Sequence, residues 1–335
     1  MSGGSSSAVG WYALLEPALP PGDLQRRPDD PRLGEVVEFW NGDPAALRPG
    51  RAVIVGFPQD EGVRRNGGRV GAAEAPREIR RWLYRLTPWD PDSDMNLAAV
   101  PPLDIGDMRV SADLEATQES LGEVIGELLR AGVVPIVLGG GHETAYGHYL
   151  GYVRAGIRAG VINIDAHLDV RPLIDGKGHS GSPFRQMLEH PTQPLLGRYS
   201  CLGAQPGSIS EDHYRFALKQ RCRIQFVDAG WQLNEAVVKE EEDWLLDRGA
   251  TGIMFSIDAD AFGAADVPGV SAVNPSGLPG RYGMDSAHAA GKSLHVRSFE
   301  LVEIDPRFDR DGQSARWAAR VVWNFLIGLA ARRQL

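Results

Sequence analysis

Residues 160–171 read GVINIDAHLDVR, an apolar run that ends in a cluster of polar side chains. The first part has the composition of a buried β-strand. Asp165, His167 and Asp169 then follow at alternate positions. Because successive side chains of an extended chain point to opposite faces, these three share one face. Two carboxylates and an imidazole on one face of a strand end predict a metal or ligand site.

Short apolar runs, polar loops and amphipathic runs alternate along the rest of the chain. Strands are predicted at 52–57, 133–141, 160–166, 223–229, 251–260 and 295–305, and helices at 75–86, 112–132 and 314–329. Strands that are apolar at nearly every position are typical of sheets covered on both faces. Their alternation with helices indicates an α/β fold, with a mostly parallel central sheet sandwiched between helices.

The domain organisation follows from where this alternation begins. Residues 1–50 are rich in Pro, Asp and Gly, which predicts an irregular N-terminal arm with a disordered lead-in and one short helix near 34–40. Residues 51–335 are expected to form a single catalytic domain. Within it, residues 175–207 are rich in Gly, Ser and Pro and are expected to form a long loop, a feature that is often functional.

Composition excludes several classes of protein. The net charge of −9 disfavours binding to nucleic acid, which normally needs a basic face. No apolar run approaches the roughly 20 residues of a membrane span, and the N-terminus lacks the pattern of a secretory signal. Two cysteines, Cys201 and Cys222, suit a cytoplasmic protein without a disulfide framework. We expect a small-molecule substrate.

Three predicted strands end in metal-competent side chains, and the carboxyl ends of parallel strands are where ligands bind. One aspartate alone would be read as a helix cap and one histidine as a satisfied core residue, but the joint pattern favours a metal site. Four carboxylates and two imidazoles suit two ions better than one, and the absence of thiolate favours Mn²⁺ or a similar ion. The six residues are His142, Asp165, His167, Asp169, Asp258 and Asp260.

These motifs resemble those of the ureohydrolases, the superfamily of arginase and agmatinase. The resemblance lies in GGGHE (139–143), IDAHLDVR (164–171), SIDADAF (256–262) and VEIDPRFD (302–309), in the family's order. It implies a three-layer α/β/α domain of the arginase type, a homo-oligomer (trimer or hexamer) and two Mn²⁺ ions per subunit. By position, His142, Asp165, Asp169 and Asp258 would hold one ion, and Asp165, His167, Asp258 and Asp260 the other.

Within the superfamily, the chain is most similar to the formimidoylglutamase branch of histidine degradation. DEGVRRNGGRVGAAEAP (60–76), DVRP (169–172) and the segment that follows Ile304 carry this similarity. It implies hydrolysis of N-formimidoyl-L-glutamate to L-glutamate and formamide. Two departures stand out: Asp305 replaces the usual Asn of the final motif, and residues 273–280 differ from the expected loop. A changed substrate, such as a guanidino acid or agmatine that would release urea, is therefore an alternative.

The expected mechanism is attack on an amidine carbon by a hydroxide that bridges two ions. Glu303 stands where the family's substrate-pairing glutamate stands, and a carboxylate can hold an amidinium by two hydrogen bonds. Asp169 is the candidate base after attack. Arg171, two residues further, is expected at the rim as a clamp for a substrate carboxylate, or else as a surface arginine paired with Asp175 or Glu189. Asn66 is a further candidate for substrate binding.

His179 is either a proton shuttle to the leaving amine or an ordinary loop histidine. A gapless match to the HGTP segment of agmatinases places Ser180 at the shuttle position instead. Two alternatives lie outside this enzyme class. One is a metal-bound scaffold or sensor without catalysis, which the six-ligand set disfavours. The other is a deacetylase-like protein with one zinc, for which the chain has too many aspartates.

Overall fold

The structure, a computed structural model, describes residues 10–20, 22, 26–227 and 232–332. The predicted disordered lead-in and the last residues of the strand predicted at 223–229 therefore lie outside the described residues, as does the end of the predicted catalytic domain. Within the described part, no helix combines the length and the apolar character that crossing a bilayer requires.

The described strands form a ten-stranded mixed sheet and a separate two-stranded hairpin. The strands are β1 (Leu15–Glu16), β2 (Glu38–Phe39), β3 (Ala52–Gly56), β4 (Trp89–Asp90), β5 (Met95–Asn96), β6 (Leu103–Met108), β7 (Val134–Leu138), β8 (Ala159–Ile164), β9 (Tyr199–Ala204), β10 (Arg223–Phe226), β11 (Gly252–Asp258) and β12 (Val296–Val302). The large sheet has the order β1-β6-β3-β7-β12-β11-β8-β9-β10, with β2 beside β6. Apart from β1, which runs antiparallel to β6, neighbouring strands in it are parallel, as predicted.

Helices cover both faces of this sheet. They are α1 (Glu61–Arg65), α2 (Ala75–Leu83), α3 (Leu114–Arg130), α4 (Thr144–Ala155), α5 (Pro183–Leu188), α6 (Glu211–Lys219), α7 (Glu235–Leu246), α8 (Gly280–Lys292) and α9 (Gln313–Ala331). Alternate residues of one strand enter different cores: Ile162 packs in the core with α2, α7, α8 and α9, and Val161 in the core with α3 to α6. The result is a three-layer α/β/α fold, which confirms the predicted fold class.

Two predictions about local structure were wrong. No helix covers 34–40: a 3-10 turn at Leu33–Glu35 leads directly into β2, which pairs with β6. The predicted loop at 175–207 contains both α5 and β9. Strand β9 was missed because its sequence, YSCLGA, mixes small and polar residues, whereas its burial comes from pairing with β8 and β10.

A strand that the pattern missed, β6, has the polar sequence LDIGDM. Its Asp104 is fully buried, yet it accepts hydrogen bonds from the Arg80 guanidinium and the Tyr84 hydroxyl. Burial of a carboxylate is tolerated when such partners compensate its charge. Because the partners lie on α2 and directly after it, at least 20 residues away in sequence, the strand's own sequence gave no signal of burial.

Candidate metal centre

The six candidate ligands follow strands that lie side by side in the centre of the sheet. Strands β7, β11 and β8 carry His142, Asp258 and Asp165 at or just after their carboxyl ends, and β12 lies between β7 and β11. The strands are parallel, so their carboxyl ends meet at one edge of the sheet. Residues separated by more than 110 positions in sequence therefore converge there.

Four of the six residues form one group that could hold a metal ion: His142, Asp165, Asp169 and Asp258. The Nδ1 atom of His142 lies 3.3 Å from Asp165 Oδ2, 3.0 Å from Asp169 Oδ2 and 2.9 Å from Asp258 Oδ2. This ring nitrogen is buried and makes no hydrogen bond to the described residues. One imidazole nitrogen facing three carboxylate oxygens suits a shared cation.

A second group consists of Asp165, His167 and Asp260. His167 Nδ1 lies 3.4 Å from Asp165 Oδ1 and 3.3 Å from Asp260 Oδ2. Asp165 thus presents one carboxylate oxygen to each group, the arrangement that a bridging ligand needs. Asp258, which the resemblance also implied as a bridge, belongs to the first group; its Oδ1 accepts the Asp260 backbone N–H at 2.8 Å.

Side chains two residues before the ligands hold them in place. Asn163 Nδ2 donates to Asp165 Oδ2 at 3.0 Å, and Ser256 Oγ lies 3.1 Å from His142 Nε2. The hydrogen bond at Nε2 leaves Nδ1 as the nitrogen that faces the carboxylates, as is usual for metal-binding histidines. Asn163 and Ser256 were not among the predicted site residues, but the two-residue period of a strand places them on the same faces as Asp165 and Asp258.

The electrostatics of the group also favour cations. Burial and the charges of Asp260 and Asp165 raise the pKa of Asp258 well above its usual value. Burial lowers the pKa of His142, but the neighbouring carboxylates outweigh it, and the pKa rises well above the usual value. Four facing aspartates repel one another unless positive charge lies between them, so the arrangement favours bound cations.

The chemistry of these donors fits two hard or intermediate divalent ions. Carboxylate and imidazole ligands without thiolate suit manganese. Cys201 is close, but its Sγ faces the backbone carbonyl of His167 at 3.2 Å, and burial raises the pKa of its thiol. We therefore exclude Cys201 from the ligand set.

Glu303, which follows β12, lies in the same site. Its backbone has a positive φ of 66°, a conformation that costs energy in a residue other than glycine and that often occurs at functional sites. Its Oε1 accepts the His142 backbone N–H at 2.8 Å. Burial, followed by the charges of Asp258, Glu143 and Asp260, raises the pKa of Glu303 well above its usual value.

A cavity of about 270 Å³ opens beside the metal-ligand groups. Its walls include ligands from both groups, together with Glu303, the turn after α1 and the loop before residue 273. The lining residues are Val63, Asn66, Gly67, Gly68, Arg69, His167, Asp169, Arg171, Ser180, Asp260, Ser271, Ala272 and Glu303. A small molecule in the cavity would therefore contact residues of both metal-ligand groups as well as Glu303.

Arg171 lies at the exposed rim of this cavity, where the sequence placed it. It has no ion-pair partner among the described residues; Glu189 pairs with Arg185 instead. Its contact in the site is with Asn66, whose Oδ1 lies 3.4 Å from Arg171 Nη1 and whose Nδ2 donates to Ser180 Oγ. The structure thus brings Arg171, Asn66 and Ser180 together at one rim.

Arg69 also lines the cavity, but its guanidinium is already engaged. It donates to the backbone carbonyls of Val270 and Ser271 and stacks on the Phe308 ring. Arg65, at the end of α1, pairs with Glu61 and Glu115. Within the described residues, the guanidinium groups of Arg69 and Arg65 have backbone carbonyl, ring or carboxylate partners, whereas that of Arg171 contacts the Asn66 side chain alone.

The structure places His179 apart from this arrangement. Its ring is buried, Nε2 lies 3.0 Å from the Pro172 carbonyl, and Nδ1 accepts the Gly181 N–H at 3.2 Å. Both ring nitrogens therefore serve the local turn, and the neighbouring Ser180 lines the cavity.

Asp305 and the loop at 273–280, where the sequence differs from the family pattern, do not line the cavity. Asp305 accepts the Arg307 N–H, and Asn274 donates to the Asp260 carbonyl while its own backbone bridges Gly263. Both residues support neighbouring loops. A role for them in choosing the substrate would be indirect.

The chain is similar to proteins of the arginase family over most of its length. The model of the arginase family matches residues 50–328. Formimidoylglutamase of Chromobacterium violaceum is 38% identical over 311 residues, which cover 88% of this chain and 94% of that protein. Formimidoylglutamase of Geobacillus kaustophilus is 39% identical, with 80% of this chain and 81% of that protein covered. The solved structure of Trypanosoma cruzi formiminoglutamase with Mn²⁺ superimposes with a TM-score of 0.79 at 30% identity, covering 91% of this chain and 100% of that one.

Proposed function

The chain belongs to the arginase family, and from this premise we propose that it is a manganese-dependent formimidoylglutamase. It would hydrolyse a C–N bond of a linear amidine, N-formimidoyl-L-glutamate, to give L-glutamate and formamide. The single observation that carries this choice of substrate is the Arg171 guanidinium, which lies at the rim of the metal-site cavity and forms no ion pair with the described residues. The similarity to formimidoylglutamases over most of the chain supports it.

The charge of the substrate matches the charges of the cavity. An amidinium can pair with Glu303, whose Oε2 accepts no hydrogen bond from the described residues. At the opposite end, the Arg171 fork can bind a carboxylate by two charge-assisted hydrogen bonds. Asn66 holds that fork and can itself donate to the substrate. A glutamate-derived amidine has both kinds of group.

We propose that the two groups of ligands each hold one Mn²⁺. His142, Asp169 and Asp258 would serve the first ion and His167 and Asp260 the second, with Asp165 shared. Two bound divalent ions supply a water whose pKa is near neutrality and a positive field at the reacting carbon.

Proton transfer would then fall to residues of this chain. Asp169 both faces His142 and lines the cavity, so its carboxylate can accept a proton next to the reacting carbon. For the leaving amine, the site favours Ser180, which lines the cavity, over His179, whose nitrogens serve the turn. The shuttle role of His179 stays a prediction that this geometry does not support.

A panel of substrates tests the proposal. Metal-free protein and Mn²⁺-reconstituted protein are assayed with N-formimidoyl-L-glutamate, guanidinobutyrate and agmatine, while formamide and urea are measured separately. We expect formamide from the first substrate and only in the presence of Mn²⁺. Urea from a guanidino compound would instead support the alternative substrate. Metal binding without turnover of any substrate would support the scaffold or sensor.

We also propose a domain division, a cellular location and an oligomeric state for the protein. Residues 51–335 would form the catalytic domain and residues 1–50 an arm. The free, buried thiols of Cys201 and Cys222 suit a cytoplasmic location. The arginase family membership supports a homo-oligomer, a trimer or a hexamer, which light scattering coupled to size exclusion would measure.

A further inference from the structure

A second cavity, of about 860 Å³, lies at the opposite edge of the sheet from the metal centre. Arg158 and Arg198 line it directly before β8 and β9, and Arg221 and Arg248 line it shortly before β10 and β11. These are the amino ends of parallel strands whose carboxyl ends face the metal site. The cavity is therefore separate from the site of hydrolysis.

The charge of this cavity is strongly positive. Four arginines line it together with one acid, Asp247, and within the described residues none of the four arginines forms an ion pair. Other arginines nearby do, such as Arg215 with Glu211 and Arg223 with Glu240. Four guanidinium groups around one space repel one another unless an anion lies between them.

Arg198 makes this repulsion costly because it is only 7% exposed. Its Nε donates to the Ala159 carbonyl at 3.0 Å and its Nη2 to the Pro194 carbonyl at 2.7 Å. Burial lowers the pKa of Arg198, and the nearby charge of Arg158 lowers it further. Two neutral carbonyls hold the guanidinium in place without compensating its charge.

A purely structural explanation accounts for part of this charge. Helices α4, α6 and α7 end near the cavity, and Arg248 Nη1 donates to the Trp244 carbonyl in the last turn of α7. Each helix end carries about half a negative charge. The three ends therefore offset between one and two of the four positive charges, and they do not explain why the arginines surround an open space.

We propose that this cavity binds a small organic phosphate, with two phosphate groups held by the arginine forks. Guanidinium groups bind phosphate bidentately, and a volume of 860 Å³ lies within the range of sites for molecules of nucleotide size. Pro194 and the exposed Leu196 supply an apolar wall against which the organic part can pack. The proposal is independent of the function proposed for the metal centre.

Calorimetric titration of the full-length, Mn²⁺-loaded protein with ADP as the probe tests this proposal. Adenosine, which lacks the phosphates, is the control ligand. The test variant is Arg221→Gln with Arg248→Gln, both exposed and without ion pairs among the described residues. The control variant, Arg215→Gln with Arg281→Gln, removes two exposed arginines that lie outside the cavity.

We expect ADP to bind the wild type and the control variant with equal affinity. The affinity of the test variant should be lower by at least about tenfold, since two charge-assisted contacts are lost. Adenosine should not bind, and added salt should weaken ADP binding. Three results would overturn the proposal: no ADP binding at millimolar concentration, equal binding to the test variant, or a change in oligomeric mass of that variant without any ADP binding to the wild type. The last result would make the cavity an interface between copies.

Discussion

At the scale of single residues, the site depends on carboxylates that carry out different tasks although they are chemically alike. Asp165 directs its two oxygens to different histidines, Asp169 reaches from a ligand group into the cavity, and Glu303 faces the cavity from a strained backbone. Position, rather than residue type, separates their roles. Substitutions at single positions should therefore have separable effects.

Arg171→Ala should raise KM for N-formimidoyl-L-glutamate by about tenfold or more, because a charge-assisted contact is lost at a partly solvated rim. The kinetics of a small amidine without carboxylates should change little. Steady-state kinetics with both substrates measures this difference. Arg185→Ala is the matched control, because Arg185 pairs with Glu189 and does not line the cavity. An equal rise in KM for both substrates would show that Arg171 does not bind the substrate carboxylate.

Asp258→Asn should reduce the manganese content by at least one ion per chain, because one carboxylate of the first ligand group becomes a weaker, neutral donor. Elemental analysis after dialysis against Mn²⁺ gives the content, and circular dichroism checks the fold. Asp243→Asn, an exposed position on α7, is the control and should keep both ions. Full occupancy of the Asp258 variant would contradict the ligand assignment.

At the scale of elements, the turns after the central strands decide the geometry of the site. The turn between β7 and α4 passes so close to the loop after β3 that Gly141 N–H donates to the Gln59 carbonyl at 3.0 Å. Glu303, after β12, donates its own N–H to the Gly140 carbonyl. Glycines at 139–141 permit this approach and thereby fix His142 beside β8 and β11.

Gly140→Ala should destabilise the protein by about 1–3 kcal/mol and weaken Mn²⁺ binding, because overpacking shifts the turn that carries His142. A Cβ atom there would lie 1.8 Å from the Gln59 carbonyl oxygen. Chemical denaturation and a Mn²⁺ titration measure the two effects. Gly207→Ala, where a Cβ meets nothing within 4 Å, should change stability by less than about 0.5 kcal/mol. If the two variants had the same stability and the same Mn²⁺ affinity, the close approach of Gly140 to Gln59 would not determine the geometry of the site.

At the scale of the whole molecule, folding assembles a cluster of acids that is unfavourable without cations. The metal site lies at the carboxyl ends of the central strands, and β7, β8 and β11 each pack into both buried cores. Global stability and metal binding are therefore coupled. A ligand that binds the folded state alone raises its stability in proportion to the logarithm of the ligand concentration.

Removal of metal with EDTA should lower the melting temperature by about 5–10 °C, as expected for two ions that are each present at roughly 100 times their dissociation constant. Added Mn²⁺ should restore the original value. Differential scanning calorimetry measures the shift, and the Asp258→Asn variant should show a smaller one. A melting temperature that is unchanged by EDTA and by Mn²⁺ would argue against a metal site in the core of the sheet.

The sequence by itself determined the features that depend on local periodicity. Apolar runs located the six strands that it predicted. The kinds of donor atom pointed to a pair of divalent ions before any contact was known. These two inferences held because they depend on residues that are close in the chain. Asp165, His167 and Asp169 do converge on one site, but strand alternation is not the reason: β8 ends at Ile164, and Asp169 has a positive φ of 46°.

Only the tertiary structure decided what depends on long-range packing. The order of strands in the sheet places β7, β12, β11 and β8 side by side. Residues 199–204, predicted as part of a loop, form β9 because they pair with β8 and β10. The ring of His179 is buried and hydrogen-bonded within its own turn. The same sheet order gathered four arginines at the opposite edge. The sequence could not show these features, because each arises from contacts between segments that are far apart in the chain and is stabilised by partners that local patterns do not record.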